Sequence, residues 1–176
     1  MAGAAASRWY IPAGRAILPA VFAIRRILCP VDFSETSREA VEYALVLANK
    51  CAAELVIVHV VEEAPLVAAY SGLPEIEVGE EVEKLARKEL ADLAAGHASS
   101  NVPLRSELLR GGTAKTIERY AAEQHMDLIV MGTHGRGLLD HAIFGSVTEH
   151  VMRRAQCPVL IVRHPAGRAS FQAERK

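Results

Sequence analysis

Residues 127–135 have the sequence DLIVMGTHG, and nine residues separate the last glycine of this stretch from the pair Gly145-Ser146. The apolar first half is typical of a buried strand, and apolar residues recur at helical spacing after Ser146, at Val147, Val151 and Ala155. The glycines therefore lie in a connection from a strand to a helix. Glycine lets backbone N–H groups approach an anion closely, and the start of a helix offers unpaired N–H donors. The pattern predicts a cradle for phosphate.

Short apolar runs alternate with longer amphipathic stretches from Arg26 onward. This alternation is typical of β-α-β units whose mostly parallel sheet is covered on both faces. The predicted fold class is therefore α/β, a doubly wound, five-stranded, mostly parallel sheet with helices on both faces. The five predicted strands are Ile27–Val31, Leu55–Val61, Leu104–Leu109, Leu128–Met131 and Val159–Val162.

Four helices are predicted between these strands. The first follows a cap at Ser34, with apolar spacing at Val41, Ala44, Leu45 and Ala48. The second ends near Gly96, with Val82, Leu85, Ala86 and Leu93 as its apolar residues. The third opens at Gly111-Gly112-Thr113, and the fourth runs from Ser146 to a point before Cys157-Pro158. The segment Glu62–Val78, which is broken by Pro65, Gly72 and Pro74, is predicted to be a loop.

Length and composition indicate one globular domain, because 176 residues with 51% hydrophobic content can bury one core but not two ordinary ones. A formal net charge of -1 argues against nucleic-acid or membrane partners. Three scattered cysteines, Cys29, Cys51 and Cys157, form neither a disulfide framework nor a CxxC pair. We therefore expect a reducing compartment, the cytoplasm.

The predicted domain spans residues 25–164, between an N-terminal extension of residues 1–24 and a tail of residues 165–176. The extension contains Arg8 and Arg15 but no acidic residue, and its apolar run is too short to span a membrane. A disordered or loosely docked extension and a targeting peptide both fit this composition. The tail is expected to be solvated.

Polar and glycine residues follow the predicted strand ends, where ligands bind in an open parallel sheet. Asp32 offers an acceptor for ribose hydroxyls or an adenine amine, and the backbone near Val60 can contact an adenine edge. Gly135, Gly145 and Ser146 can hold phosphates. An alternative role for Asp32 is to balance the macrodipole of the following helix.

Gly132, Gly135, Gly145 and Ser146 match the pattern G-x-x-G-x9-G-[S/T] without a gap. In this pattern the chain resembles the ATP-binding branch of the universal stress protein family, whose fold is like that of the adenine nucleotide alpha hydrolases. The resemblance covers about Arg26 to Arg163, through the segments ILCPVDFSETSREAVEYA, LVIVHVVE, DLIVMGTHGRG and VTEHVMRRAQCPVLIVR.

The resemblance implies a stress-associated regulatory homodimer that responds to ATP, with Mg or Mn held mainly by the phosphates. It implies that Asp32 and Val60, beside Pro30, contact the nucleoside. The residues that line the rest of the nucleotide are then Met131, Gly132, Thr133, Gly135, Gly145, Ser146, Val147 and Thr148. The family pattern also implies a dimer through the last strand, residues 158–163, whose exposed apolar edge would otherwise favour aggregation.

The sequence gives little support to metal binding or catalysis. His134, His141 and His150 lack the i, i+4 spacing of a helical zinc motif, so no metal ligands are predicted, and His59 is interpreted as a hydrogen-bonded core histidine. The Walker, GxGxxG and GxSxG motifs are absent, so no catalytic residue is predicted and any ATP hydrolysis should be slow. The alternatives are a weak ATPase, or an interaction protein acting through its dimer surface without nucleotide.

Overall fold

A computed structural model describes residues 23–62, 75–98, 100–133 and 144–163, with the side chains of residues 75–78 left out. Among these residues, five strands form one sheet, in which every neighbouring pair is parallel. Their order across the sheet is β3-β2-β1-β4-β5. The strands are β1 (Arg26–Pro30), β2 (Glu54–Val61), β3 (Leu104–Arg110), β4 (Leu128–Gly132) and β5 (Val159–Val162). The predicted α/β fold is confirmed.

In the part of the chain that the structure describes, four helices cover the two faces of the sheet: α1 (Glu35–Cys51), α2 (Glu75–Gly96), α3 (Thr113–Glu123) and α4 (Ser146–Arg154). The hydrophobic cluster between the sheet and the helices α1 and α2 includes Cys29, Ile57, Val41 and Leu90. The cluster on the opposite face, under α3 and α4, includes Leu28, Val58, Ile117 and Val151. Alternate residues of one strand thus enter opposite clusters, because a strand directs successive side chains to opposite faces.

The start of α1 confirms the predicted cap. Ser34 has an extended backbone, and its hydroxyl accepts a hydrogen bond from Ser37 N at 3.3 Å. The helix ends where Ala52 adopts the left-handed conformation and donates to the last carbonyls. These two signals fix α1 between the carboxyl end of β1 and the beginning of β2.

The second helix ends at Gly96 as predicted, but it begins earlier than expected. The loop expected over Glu62–Val78 ends earlier, because α2 begins at Glu75. Val82 and Leu85 are 38% and 56% exposed, so they do not belong to the core. The buried residues are instead Ala86, Leu90 and Leu93, which face the sheet at helical spacing.

The sheet reverses its strand order at β1. The chain continues from β1 to β2 on one side, whereas β4 pairs with β1 on the other side. Connections that leave neighbouring strands in opposite directions open a crevice at the strand carboxyl ends. The fold therefore places the ends of β1, β2 and β4 around one crevice. Among the described residues, no helix is long and apolar enough to cross a bilayer.

The predicted C-terminal tail and residues 1–22 of the predicted extension lie outside the described residues, as does Gly135.

Candidate functional site

A cavity of about 360 Å³ opens at the carboxyl ends of β1, β2 and β4. Its size falls within the range of small-molecule sites. Three helix starts also reach it, those of α1, α3 and α4. The described residues that line it are Pro30, Val31, Asp32, Ser37, Val58, His59, Val60, Thr113, Ile117, Met131, Gly132, Gly145, Ser146, Val147 and Thr148.

The start of α4 presents backbone donors to the cavity. Gly145 is its N-cap, and the first hydrogen bond of the helix runs from Glu149 N to Gly145 O at 2.9 Å. The N–H groups of residues 146–148 consequently have no acceptor inside the helix, and the N-cap glycine has no side chain that could cap them. The partial positive charge of a helix start adds to these donors. This end of the cavity is suited to an anion.

Packing against α1 favours glycine at position 132. A Cβ atom at this position would lie 3.1 Å from the carbonyl carbon and oxygen of Thr36, in the first turn of α1. Thr148 Oγ1 donates to Gly132 O at 3.0 Å in a buried hydrogen bond. The Thr148 hydroxyl proton is therefore committed to the protein, which leaves Ser146 as the hydroxyl among residues 145–148 that can donate to a phosphate.

Asp32 stands at the carboxyl end of β1, on the wall of the cavity. Its Oδ1 accepts hydrogen bonds from Ser34 N at 3.1 Å and from Ser34 Oγ at 2.6 Å. Both predicted roles of Asp32 are therefore compatible with its position, because the residue faces the cavity and also holds the cap of α1. An anionic acceptor at this place suits the hydroxyl or amine donors of a nucleoside.

The residue after Asp32 has an unusual backbone. Phe33 has a φ of 65°, which is rare for a bulky side chain and is a strain often found at functional sites. Its ring lies on His59 with centroids 4.5 Å apart, and Arg38 Nε donates to Phe33 O at 3.3 Å. These contacts hold the turn that carries Asp32.

His59 has the hydrogen bond expected of a satisfied core histidine. Its Nδ1 lies 2.7 Å from Val31 O, and because a carbonyl only accepts, Nδ1 carries the proton. The residue is only half-buried, however, and it lines the cavity. The prediction of a hydrogen-bonded histidine therefore agrees with this contact, whereas a position in the core does not.

The start of α3 is occupied by a carboxylate of the same chain. Glu62, the residue after β2, accepts from Thr113 N at 2.9 Å and from Thr113 Oγ1 at 2.5 Å. These two hydrogen bonds hold the pKa of Glu62 below its usual range. Of the two helix starts on this face of the sheet, α3 already carries an anion, whereas the described residues supply none to α4.

The structure brings most of the predicted site residues to this one cavity: Pro30, Asp32, Val60, Met131, Gly132, Gly145, Ser146, Val147 and Thr148. Thr133 is 2% exposed and is not among the described residues that line the cavity. Its backbone N–H donates to Val162 O, and its backbone carbonyl accepts from Gly145 N. Gly135 lies outside the described residues.

Sequence reasoning missed Ser37, Thr113 and Ile117, which also line the cavity. Each lies in the first turns of a helix that starts at the carboxyl edge of the sheet. Treating every helix start at that edge as a candidate wall, and not only the glycine-rich one, would have found them.

Metal and thiol chemistry receive no support from the described residues. They contain no group of three or more histidine, cysteine or acidic side chains that could hold a metal ion. His150 Nε2 instead lies 2.9 Å from Glu118 Oε1, whereas His134 and His141 are outside the described residues. Cys29 is fully buried, and burial raises its pKa, so it is an inert core thiol.

Comparison with protein families gives a match over most of the chain. The model of the universal stress protein family matches residues 23–163. Among individual relatives, universal stress protein MJ0531 of Methanocaldococcus jannaschii is 34% identical over 145 residues, a match that covers 80% of this chain and 83% of the relative.

Solved structures are similar over the same region. The structure of MJ0577 from Methanocaldococcus jannaschii superimposes with a TM-score of 0.73 at 26% identity, covering 82% of this chain and 99% of that one. A universal stress protein in complex with cAMP has a TM-score of 0.54 at 24% identity, covering 80% of this chain and 97% of that one. One from Archaeoglobus fulgidus in complex with dAMP has a TM-score of 0.59 at 18% identity, covering 79% and 97%. The last two likenesses concern the fold.

Proposed function

The chain belongs to the universal stress protein family, and from this membership we propose that it binds ATP in the cavity at the carboxyl ends of β1, β2 and β4. The nucleotide acts as a signal in a stress-associated regulatory protein of the cytoplasm. The observation that carries the proposal is the start of α4, to which the described residues supply no side-chain acceptor and whose residues 146–148 line the same cavity as Asp32.

The two ends of the cavity fit the two ends of a nucleotide. Anionic phosphates suit the α4 donors, where no lysine is needed because backbone N–H groups and the helix dipole supply the attraction. The nucleoside then lies against Asp32 and Val60, with the apolar side chains of Val58 and Ile117 beside it. Two family members of the same fold, solved with cAMP and with dAMP, support an adenine nucleotide as the ligand.

A divalent cation, Mg²⁺ or Mn²⁺, is proposed to arrive with the phosphates. The described residues offer no cluster of acidic and histidine ligands that could form a metal cage of its own. Magnesium commonly keeps several waters and binds through phosphates with few protein ligands, so this arrangement is chemically reasonable. The metal would neutralise phosphate charge near Gly145 and Ser146.

A homodimer through β5 is the proposed assembly. β5 is an edge strand, and Leu160 at its middle is 38% exposed. An edge with unpaired backbone groups and apolar side chains is stabilised when a second copy covers it. Sedimentation of the purified protein tests this assembly, and a Leu160→Lys variant is expected to shift it to the monomer, because the substitution adds charge at the edge.

Calorimetry with ATP, ADP, AMP and adenosine tests the proposed ligand. We expect affinity to rise with the number of phosphates, because each added phosphate gains contacts with α4. Asp32→Ala should lower the affinity for adenosine more than that for inorganic triphosphate. Equal losses for both would assign Asp32 to capping α1 alone.

Mass spectrometry of ligand released from freshly purified protein is an independent measurement. An adenine nucleotide in the released fraction supports the proposal. No detectable binding of any adenine nucleotide by the intact protein refutes it. Steady ADP production that disappears in a Gly145→Val variant would show that the protein consumes ATP rather than holding it.

A further inference from the structure

The Glu62–Thr113 pair lies on the side of the cavity formed by β2 and α3. Thr113 lines the cavity, and Glu62 holds its backbone N–H and its hydroxyl through one carboxylate oxygen. β1 lies between β2 and β4, so β2 and β4 are about 10 Å apart across the sheet. The α4 donors follow β4 and therefore lie on the other side of the cavity from Thr113. In the proposed binding mode the purine, rather than the phosphates, lies on this side.

The hydrogen-bond polarity of the Thr113 hydroxyl is fixed by its partner. A carboxylate has no proton to donate, so Thr113 Oγ1 must donate to Glu62 Oε1, at 2.5 Å. Toward any further partner, the hydroxyl oxygen can therefore act only as an acceptor. Asp32, on the same cavity wall, is likewise an acceptor when ionised. The cavity therefore combines acceptors toward β1 and β2 with donors at α4.

This polarity discriminates between purines. At position 6, a 6-aminopurine presents N–H donors, whereas a 6-oxopurine presents a carbonyl oxygen and has its N–H donor at the neighbouring N1. An oxygen that faces acceptors forms no hydrogen bond with them, and a mismatch of this kind reduces affinity when the ligand excludes water from the half-buried Thr113 hydroxyl. We propose that Glu62, by orienting the Thr113 hydroxyl, makes the cavity selective for 6-aminopurine over 6-oxopurine nucleotides. This inference rests on the proposed function.

The ratio of the dissociation constants of ITP and ATP tests the proposal, because the two ligands differ in the base edge alone. The wild-type protein should prefer ATP by about tenfold or more, the value of one well-placed hydrogen bond. Glu62→Ala frees the hydroxyl to rotate and donate to a 6-oxo group, so the ratio should fall at least about threefold. Thr113→Val keeps the shape, removes the hydroxyl and should also lower the ratio.

Two further variants separate polarity from packing. Glu62→Gln retains an amide oxygen that can accept from Thr113, so it should keep the wild-type ratio. Glu83→Ala removes another carboxylate that connects two elements, because Glu83 of α2 accepts from Arg87 on the same helix and from Arg110 on β3. Glu83 is not among the described residues that line the cavity. It should leave both affinities unchanged. A loss of helix capping alone would weaken ATP and ITP by the same factor.

An unchanged ratio in both Glu62→Ala and Thr113→Val overturns the inference while leaving ATP binding in place. A change in the ratio of dATP to ATP, with the ratio of ITP to ATP constant, also overturns it, because the acceptors would then contact the ribose. If the wild-type protein binds neither ATP nor ITP, the proposed function itself fails.

Discussion

The valine substitution of Gly145 separates phosphate binding from folding. Gly145 has a φ of −68° and a ψ of 154°, an extended conformation that valine adopts readily. Its N–H donates to Thr133 O at 2.8 Å, and a side chain does not remove this hydrogen bond. Because the capping glycine contributes no side-chain bond, the helix should lose less than about 1 kcal/mol. The melting temperature should fall by no more than about 5 °C.

The effect on ATP affinity should be much larger. A branched side chain on Gly145 occupies the approach to the N–H groups of Ser146 and Val147, which line the cavity. Each charge-assisted hydrogen bond contributes about 1.5–3 kcal/mol, so losing two weakens binding by about 3 kcal/mol or more. This free energy corresponds to at least about a hundredfold increase in Kd. Adenosine, which lacks phosphates, should bind nearly as in the wild-type protein.

Gly112→Val is the matched control. Gly112 is the N-cap of α3, with a φ of −67° and no side-chain cap bond, and a Cβ atom there meets no atom within 4 Å. The control should show a similar change in melting temperature and an ATP affinity within about twofold of wild type. Calorimetry and thermal unfolding of both variants are the assays. If Gly145→Val folds and binds ATP with unchanged affinity, the start of α4 is not a phosphate site.

Three other predictions concern stability and reactivity. Gly132→Ala should destabilise the fold by about 1–3 kcal/mol, since its Cβ would lie 3.1 Å from the Thr36 backbone; Gly79→Ala, in open space on α2, should stabilise it instead. Denaturant unfolding measures both, and equal effects would contradict the packing argument. Glu62 has a folded-state pKa below its ordinary value of 4.5, so its contribution to stability is complete above that value and is lost as the pH falls through the lower folded-state pKa. The stability difference between wild type and Glu62→Gln should therefore shrink in urea titrations as the pH is lowered below 4.5, and a constant difference would exclude the linkage. A thiol reagent should label exposed Cys51 in the native protein but Cys29 only after unfolding, because burial raises the pKa of Cys29 and blocks access. Peptide mapping resolves the two sites, and equal labelling rates would contradict the burial of Cys29.

Local patterns predicted the elements well. The five predicted strands lie within a residue or so of those observed, because short apolar runs bounded by polar residues identify buried parallel strands. The Ser34 cap and the opening of α3 at Thr113 were also predictable, since capping depends on neighbours within one turn. The start of α2 at Glu75 was not predicted, because Gly72 and Pro74 in the preceding segment indicate a loop. Apolar spacing identified this helix but not how much of its apolar stripe is covered, since Val82 and Leu85 are exposed whereas Ala86 and Leu93 are buried.

The candidate site was likewise predictable only in part. The spacing of Gly132, Gly145 and Ser146 along the chain was enough to predict a phosphate cradle, because each backbone donor lies within a few residues of its glycine. The position of Thr113 on the cavity wall and its bond to Glu62 were not predictable. These two residues are 51 positions apart, and only the parallel crossovers that carry β2 and α3 to the same edge bring them together. The amino-acid order thus determined which groups can bind a nucleotide, whereas the tertiary structure decided which of them face one another, because contacts between distant segments depend on strand order and not on local pattern.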